Sequence, residues 1–266
     1  MAVTEKVHTE GVDRDLLGQV DALTLSPRLA REREEFFRRE VEIVADRAVL
    51  AVESWKETEG DVLDIRWARL IEKFAERTPI VIYQDQLAVA NETKLFRAAN
   101  PWVEMEAPNV LEMMETNKKG IRTSAARVSE CTIEEWEAVR EAAGFFLGKT
   151  PTDIMFERLR SLYGDWPEEM EKARGLMRQG RSHTFAPVPK WEVLLSTGLR
   201  GIIEEAQAGI EKVRSGAEPE AKKAWFWQAV VIVCEAMVRY AHRYSTLARE
   251  LAEGEEDVAR QKELEQ

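Results

Sequence analysis

The residues able to do chemistry here are few. There are three histidines and two cysteines, and no glycine-rich phosphate cradle, HExxH pair or nucleophile elbow accompanies them. His183 stands in the loop-like stretch GRSHTFAPVP, between a glycine and two prolines and just before an amphipathic segment. Loops held by a scaffold are where binding groups concentrate, so His183 is a candidate substrate contact; the plain alternative is a packing histidine. Trp102, in NPWVE, is a second candidate, as a ring lining a pocket for an apolar or aromatic ligand. His242 reads as an ordinary residue of the last long helix.

Cys131 directly precedes TIEE, a capping box, where a helix N-terminus would lower a thiol pKa. No base accompanies it. Cys234 lies inside the apolar run AWFWQAVVIVCEAMVRY and reads as a buried thiol. The two cysteines form no CxxC and no metal-ligand spacing, which points to a reducing, cytoplasmic setting. Adjacent carboxylates such as Glu134–Glu135 and Glu204–Glu205 diverge by about 100° on a helix, and read as solvated surface.

The elements that must position these groups are mostly helical. Ser26-Pro27 is a helix start, and Phe37, Val41, Val44, Ala48, Val52 and Trp55 form one stripe, predicting a helix from Arg28 to Glu57. Gly60 ends it, and a second amphipathic helix runs from Asp61 to Arg77. Thr78-Pro79 breaks that helix. PIVIY and QLAVA then predict two short strands, and Pro101 and Pro108 predict an irregular stretch. Further helices are expected from Thr132 to Leu147, Thr150 to Tyr163, Trp166 to Gln179, Lys190 to Arg214 and Glu220 to Gly254, followed by a charged helical end. Residues 1–25 read as a flexible arm. The fold class is therefore mainly α with two short strands, at roughly 60% helix against a usual third.

A net charge of −11 with no basic cluster disfavours nucleic acid and anionic membranes as partners. The apolar run Ala224–Tyr240 carries Gln228, Glu235 and Arg239 and is too short and polar to span a bilayer. The 266 residues, 44% hydrophobic and 33% charged, suit an ordinary globular chain.

Four motifs in order resemble the glycyl radical enzymes, the pyruvate formate-lyase family. SPRLAREREEFF is similar to that family's opening helix, and VESWKETEG to its SYKETEG junction. DIRWARLIEKFAERTPIVIYQDQLAVAN is similar to the helix and strand pair that follow, and VPKWEVLLSTGLRGIIEEAQAGIEK to a later PDYEKVL…GLKGIIEE segment. NPWVE and the Trp/Ala-rich last helix resemble the arylacetate decarboxylase and benzylsuccinate synthase branches.

The resemblance implies that residues 26–266 are the N-terminal helical portion of a ten-stranded α/β barrel, cut short at the C-terminus. It also implies a radical C–C or C–X bond lyase or synthase, an anaerobic chemistry. The family's thiyl cysteine sits in a glycine-cysteine turn and its radical glycine in an RVxGY-type loop; neither motif is in this sequence. No catalytic residue and no metal is therefore assigned, and the chain alone is expected to be inactive and to bind no cofactor. The whole enzyme would carry a glycyl radical installed by a radical-SAM activase. Its partners would be that activase, the remainder of the enzyme and, as one option, a second copy in a homodimer. His183 stands six positions before Pro189 rather than the family's three, which leaves its pocket role open. The alternative function is a non-catalytic helical binding or scaffold protein derived from the same fold.

Overall fold

The computed structural model describes residues 26–39, 41–89, 91–116, 122–123, 126–130, 133–164 and 190–266. The expected arm (1–25), the TIEE cap at Thr132, Cys131, the helix from Trp166 and the His183 loop lie outside the described residues. The chain divides into two units at Arg39/Glu40. In the first, α1 (Pro27–Arg38) begins as the sequence predicts, with Pro27 at its start and the Ser26 hydroxyl accepting from Leu29 N–H at 3.3 Å. Glu35 binds both Arg38 and Arg39, whose hydrogen bonds hold its carboxyl below the usual range.

The predicted continuous helix from Arg28 to Glu57 is not formed. Val41–Ile43 is strand β1, and α2 begins only at Asp46 and ends at Glu57. The reason is pairing: Val41 and Ile43 are buried between two neighbours, and β-branched residues suit a strand covered on both sides. β1 pairs in parallel with β2 (Ala98–Ala99) and with β4 (Ala126–Glu130); β3 (Arg122–Thr123) adds antiparallel to β4. The sheet order is β2-β1-β4-β3, with a register shift between Val41 and Glu42 on the β4 side.

Between β1 and β2 the chain crosses over through α2 and α3 (Leu63–Arg77). Trp55 fixes their junction. Its ring meets Trp67 at 5.1 Å and Phe146 at 5.6 Å, both edge to face. Arg66 lies 4.2 Å over the Trp55 ring and donates to the Trp55 carbonyl at 2.8 Å. Gly60, at φ 92°, makes the turn that lets Arg66 reach back. The charged run after Trp55 is thus a solvated turn, not a site.

The segments expected as two strands, Pro79–Tyr83 and Gln86–Ala90, carry no ladder among the described residues; a turn at Gln84-Asp85 separates them. Their backbone is satisfied by side chains instead. Apart from Asn91, these come from α8 (Lys222–Gly254) and α9 (Val258–Glu265). Arg260, 5% exposed, donates to the carbonyls of Gln86 at 3.0 Å and Tyr83 at 3.1 Å. Arg243 donates to those of Ala75 at 2.5 Å and Thr78 at 2.8 Å, closing the C-terminus of α3. Asn91 gives its amide N–H to the Tyr244 hydroxyl at 2.9 Å, receives the Tyr240 hydroxyl on its carbonyl at 3.2 Å, and donates from its side chain to Val81 O at 3.0 Å. Burial first, and the neighbouring Tyr244 second, push the Tyr240 phenol well above its ordinary range.

The stretch with two prolines is more regular than predicted. α4 (Val103–Thr116) contains Pro108, tolerated because Glu106 (φ −136°, ψ 31°) breaks the helix two residues earlier. Pro108 therefore sits in a new first turn, where a missing N–H costs little. α5 (Ile133–Phe146) and α6 (Pro151–Tyr163) match the predicted spans closely. Thr150 caps α6 in a full box with Asp153. α7 (Trp191–Arg214) has a break at Gly198, φ 67°. α8 is the helix read from the apolar run, but it is only half-buried: Ile232 and Cys234 face in, while Trp225 and Phe226 face out.

Two outcomes test this packing. A Cβ on Gly209 of α7 would lie 2.6 Å from Trp227 Nε1 of α8. Gly209→Ala, a gain of about 1 kcal/mol in isolated helix propensity, is expected to lower stability by about 1–3 kcal/mol through overpacking, read by denaturant unfolding. Arg260→Ala is expected to accelerate amide exchange across residues 79–89 by at least an order of magnitude, because two carbonyls lose their partner at a cost of about 2–3 kcal/mol.

Candidate functional site

Two arrangements in the second unit bring polar groups together. The first surrounds Trp102. Arg47, the second residue of α2, places its guanidinium 4.4 Å from the Phe74 ring of α3 and 4.4 Å from the Trp102 ring. It is a cation held by two aromatic faces. The same guanidinium donates to Glu104 Oε1 from Nε at 2.9 Å and from Nη2 at 2.6 Å. The Glu104 side chain is fully buried and that of Arg47 is 22% exposed. Burial raises the Glu104 carboxyl above its ordinary range, with the Arg47 charge pulling in the opposite direction. Trp102 is half-buried and immediately precedes α4, so α2, α3 and the start of α4 together fix its ring.

The second arrangement is an open cleft of about 330 Å³ between α2 and α5. Asp46 and Glu53 of α2 face Glu134 and Glu135 of α5 across it, with Arg77 and Pro79 at one end. Arg77 is engaged by Glu53. Burial raises the Glu135 carboxyl, Lys94 lowers it, and Asp46 and Glu42 add to the rise. On their own helix Glu134 and Glu135 diverge, so local spacing assigns them no common target. Their convergence on one cleft comes from α2, across a distance in sequence that no local pattern reports. Trp102 does not line this cleft.

Neither arrangement joins a nucleophile to a base. Cys234 is buried on α8 and desolvation pushes its thiol up, away from the reactive thiolate. It sits mid-helix rather than in a turn, so it does not fit the thiyl position. His242 also lies on α8, as read. Among the described residues, no group of three or more His, Cys, Asp or Glu could hold a metal ion. None of the described helices is long and apolar enough to cross a membrane. His183, the other substrate-contact candidate, lies outside the described residues.

The Arg47 pair can be tested directly. Arg47→Ala is expected to cost about 3–5 kcal/mol, because it strands a buried carboxylate. Arg47→Lys restores the charge but not the planar stack, so it is expected to recover only part of that loss. Chemical denaturation of the three proteins at neutral pH measures both.

Comparison with known proteins agrees with the architecture. The family model described as pyruvate formate lyase-like matches residues 22–266. An isethionate sulfite-lyase of Desulfovibrio desulfuricans is 29% identical over 245 residues, which are 90% of this chain and 29% of that protein. The glycerol-bound B12-independent glycerol dehydratase from Clostridium butyricum superposes with a TM-score of 0.75 at 27% identity, over 91% of this chain and 30% of that one. A glycyl radical enzyme from Archaeoglobus fulgidus gives a TM-score of 0.73 at 26% identity, over 89% of this chain and 30% of its own. The chain thus spans about 30% of the length of the relatives it matches. With a family model covering all but its first residues, and the same fold in solved relatives, the chain belongs to the pyruvate formate lyase-like family of glycyl radical enzymes.

Proposed function

We propose that this chain is the N-terminal helical wall of a glycyl radical lyase and has no catalysis of its own. The observation that carries the reading is the match itself: nine-tenths of this chain aligns with under a third of each relative. The remaining share of such an enzyme would supply the thiyl cysteine and the radical glycine, whose motifs are not in this sequence. The glycyl radical supplies hydrogen-atom abstraction, relayed through a cysteine, that starts cleavage of a strong bond in the substrate.

This chain's own residues would shape and shield that chemistry. Two of the three relatives reported above are, by name, a sulfite-lyase and a dehydratase. That supports elimination from a small hydroxylated substrate, breaking a C–X rather than a C–C bond. Trp102 and His183 are the side chains proposed to face the substrate. Water exclusion by the helical wall would protect the radical and strengthen polar contacts inside. The partners on this reading are the rest of the enzyme and a radical-SAM activase.

Exposed apolar side chains support a surface made to be covered. Leu195 is 81% exposed and Trp191 56% at the start of α7; Phe226 is 52% and Trp225 46% at the start of α8. The isolated chain is expected to bind a hydrophobic dye in the native state. Anaerobic co-expression with a radical-SAM activase is expected to give no glycyl signal by electron paramagnetic resonance. A glycyl doublet from this chain alone sinks the proposal, and a cooperative, dye-free monomer argues that the surface needs no cover.

A further inference from the structure

Glu104 has a feature its ion pair does not explain. Both Arg47 donors converge on Oε1, while Oε2 is buried with no hydrogen-bond partner among the described residues. A carboxylate held in this way accepts two bonds on one oxygen and leaves the other desolvated and idle. A proton placed on Oε2 removes the buried charge without displacing Arg47 from Oε1. The neighbouring backbone can yield, because Glu106 already leaves the helical conformation two residues later.

The charges that bear on Glu104 are few. From α2 there is Arg47, and on α4 itself there is Glu106. α3 contributes the Phe74 ring, on the far side of Arg47. α5, packed on α4, turns Val139, Ala143 and Phe146 inward, all fully buried. The largest charge effects on the carboxyl come from Arg47 and Glu106.

We propose that Glu104 is a proton-operated clamp on Trp102: the ionised carboxylate pins Arg47 between the Phe74 and Trp102 rings, and proton uptake slackens that stack. The physical step is a loss of charge assistance. A hydrogen bond between two ions is roughly twice as strong as one with a neutral partner. With Glu104 neutral, the guanidinium keeps its ring contacts and its bonds to Oε1, but those bonds lose their charge assistance, and the Trp102 ring gains freedom. Burial raises the folded carboxyl above its value of 4.5 in the open chain. The folded protein therefore takes the proton first as pH falls. This group's contribution to stability is fully present below pH 4.5 and is lost as pH rises through the raised folded value. Loosening at Trp102 is thus coupled to a gain in global stability from the same carboxyl, which separates it from acid unfolding.

The clamp rests on the geometry and burial of the Arg47–Glu104 pair and is independent of the enzyme reading. Its test uses the full chain labelled with 5-fluorotryptophan. The Trp102 resonance is assigned among the eight tryptophans by its loss in Trp102→Phe. In the unmodified protein that resonance is expected to move with pH above 4.5, where the raised folded carboxyl takes up its proton, while the melting transition stays cooperative. In Glu104→Gln it is expected to hold the acid position at every pH. A resonance that does not move, or that titrates equally in Glu104→Gln, overturns the proposal. Should that variant fail to melt cooperatively, Arg47→Lys decides: reduced titration amplitude supports the clamp, and undiminished amplitude overturns it.

Discussion

The structure depends on β1 having a parallel neighbour on each side. A parallel neighbour cannot be reached by a tight hairpin; the chain must leave the sheet, cross over and return in the same direction. With only Val41–Ile43 in the strand, the ladder itself contributes few hydrogen bonds. The crossing elements therefore have to hold the sheet in place. α2 and α3 do so between β1 and β2, and their apolar faces, with those of α4 and α5, close one core over the strand. Trp55 sits where these elements meet, touching Trp67 and Phe146 with its edges and Arg66 with its face. Moving β1 by one residue would turn Val41 and Ile43 out and Glu42 in, so the register is strongly enforced by burial.

Arginine carries much of what hydrophobic burial leaves undone. Arg47, Arg66, Arg243 and Arg260 each join a helix to something distant: a buried carboxylate, a junction carbonyl, a helix end, a loop backbone. The planar guanidinium can stack on a ring and donate in its own plane at once, which lysine cannot reproduce. In Arg47 and Arg66 both uses are combined, with indole or phenyl faces at 4.2–4.4 Å. A chain of net charge −11 thus turns part of its cationic complement inward.

Helices were legible because their signals are local. Ser26-Pro27, Gly60 and Thr150-Pro151 mark ends that the structure keeps. The strands were not legible, because a three-residue strand is decided by partners far along the chain. The stripe through Val41 and Val44 has helical spacing and was read so, yet pairing with Ala98–Ala99 and Val128 overrides it. PIVIY has strand composition, but the side chains of Arg243, Arg260 and Asn91 bond carbonyls in and beside this region in place of a neighbouring strand. The family resemblance was legible from four ordered motifs, and the comparisons support it. Trp102 was picked out as a loop ring; its anchoring by Arg47 and Glu104 was invisible, since the ion pair joins residues 57 apart. The acidic cleft was missed for a similar reason.

The tie between Arg260 and the carbonyls of Tyr83 and Gln86 has a temporal side. Donor and acceptors are separated by 177 and 174 residues. A ribosome adding about 5–20 residues per second needs roughly ten to thirty seconds to cover that gap. For that interval the loop exists without the guanidinium that later satisfies it, beside an α3 whose final carbonyls also await Arg243. The early helices therefore emerge with an open backbone edge exposed to water and to neighbouring nascent chains.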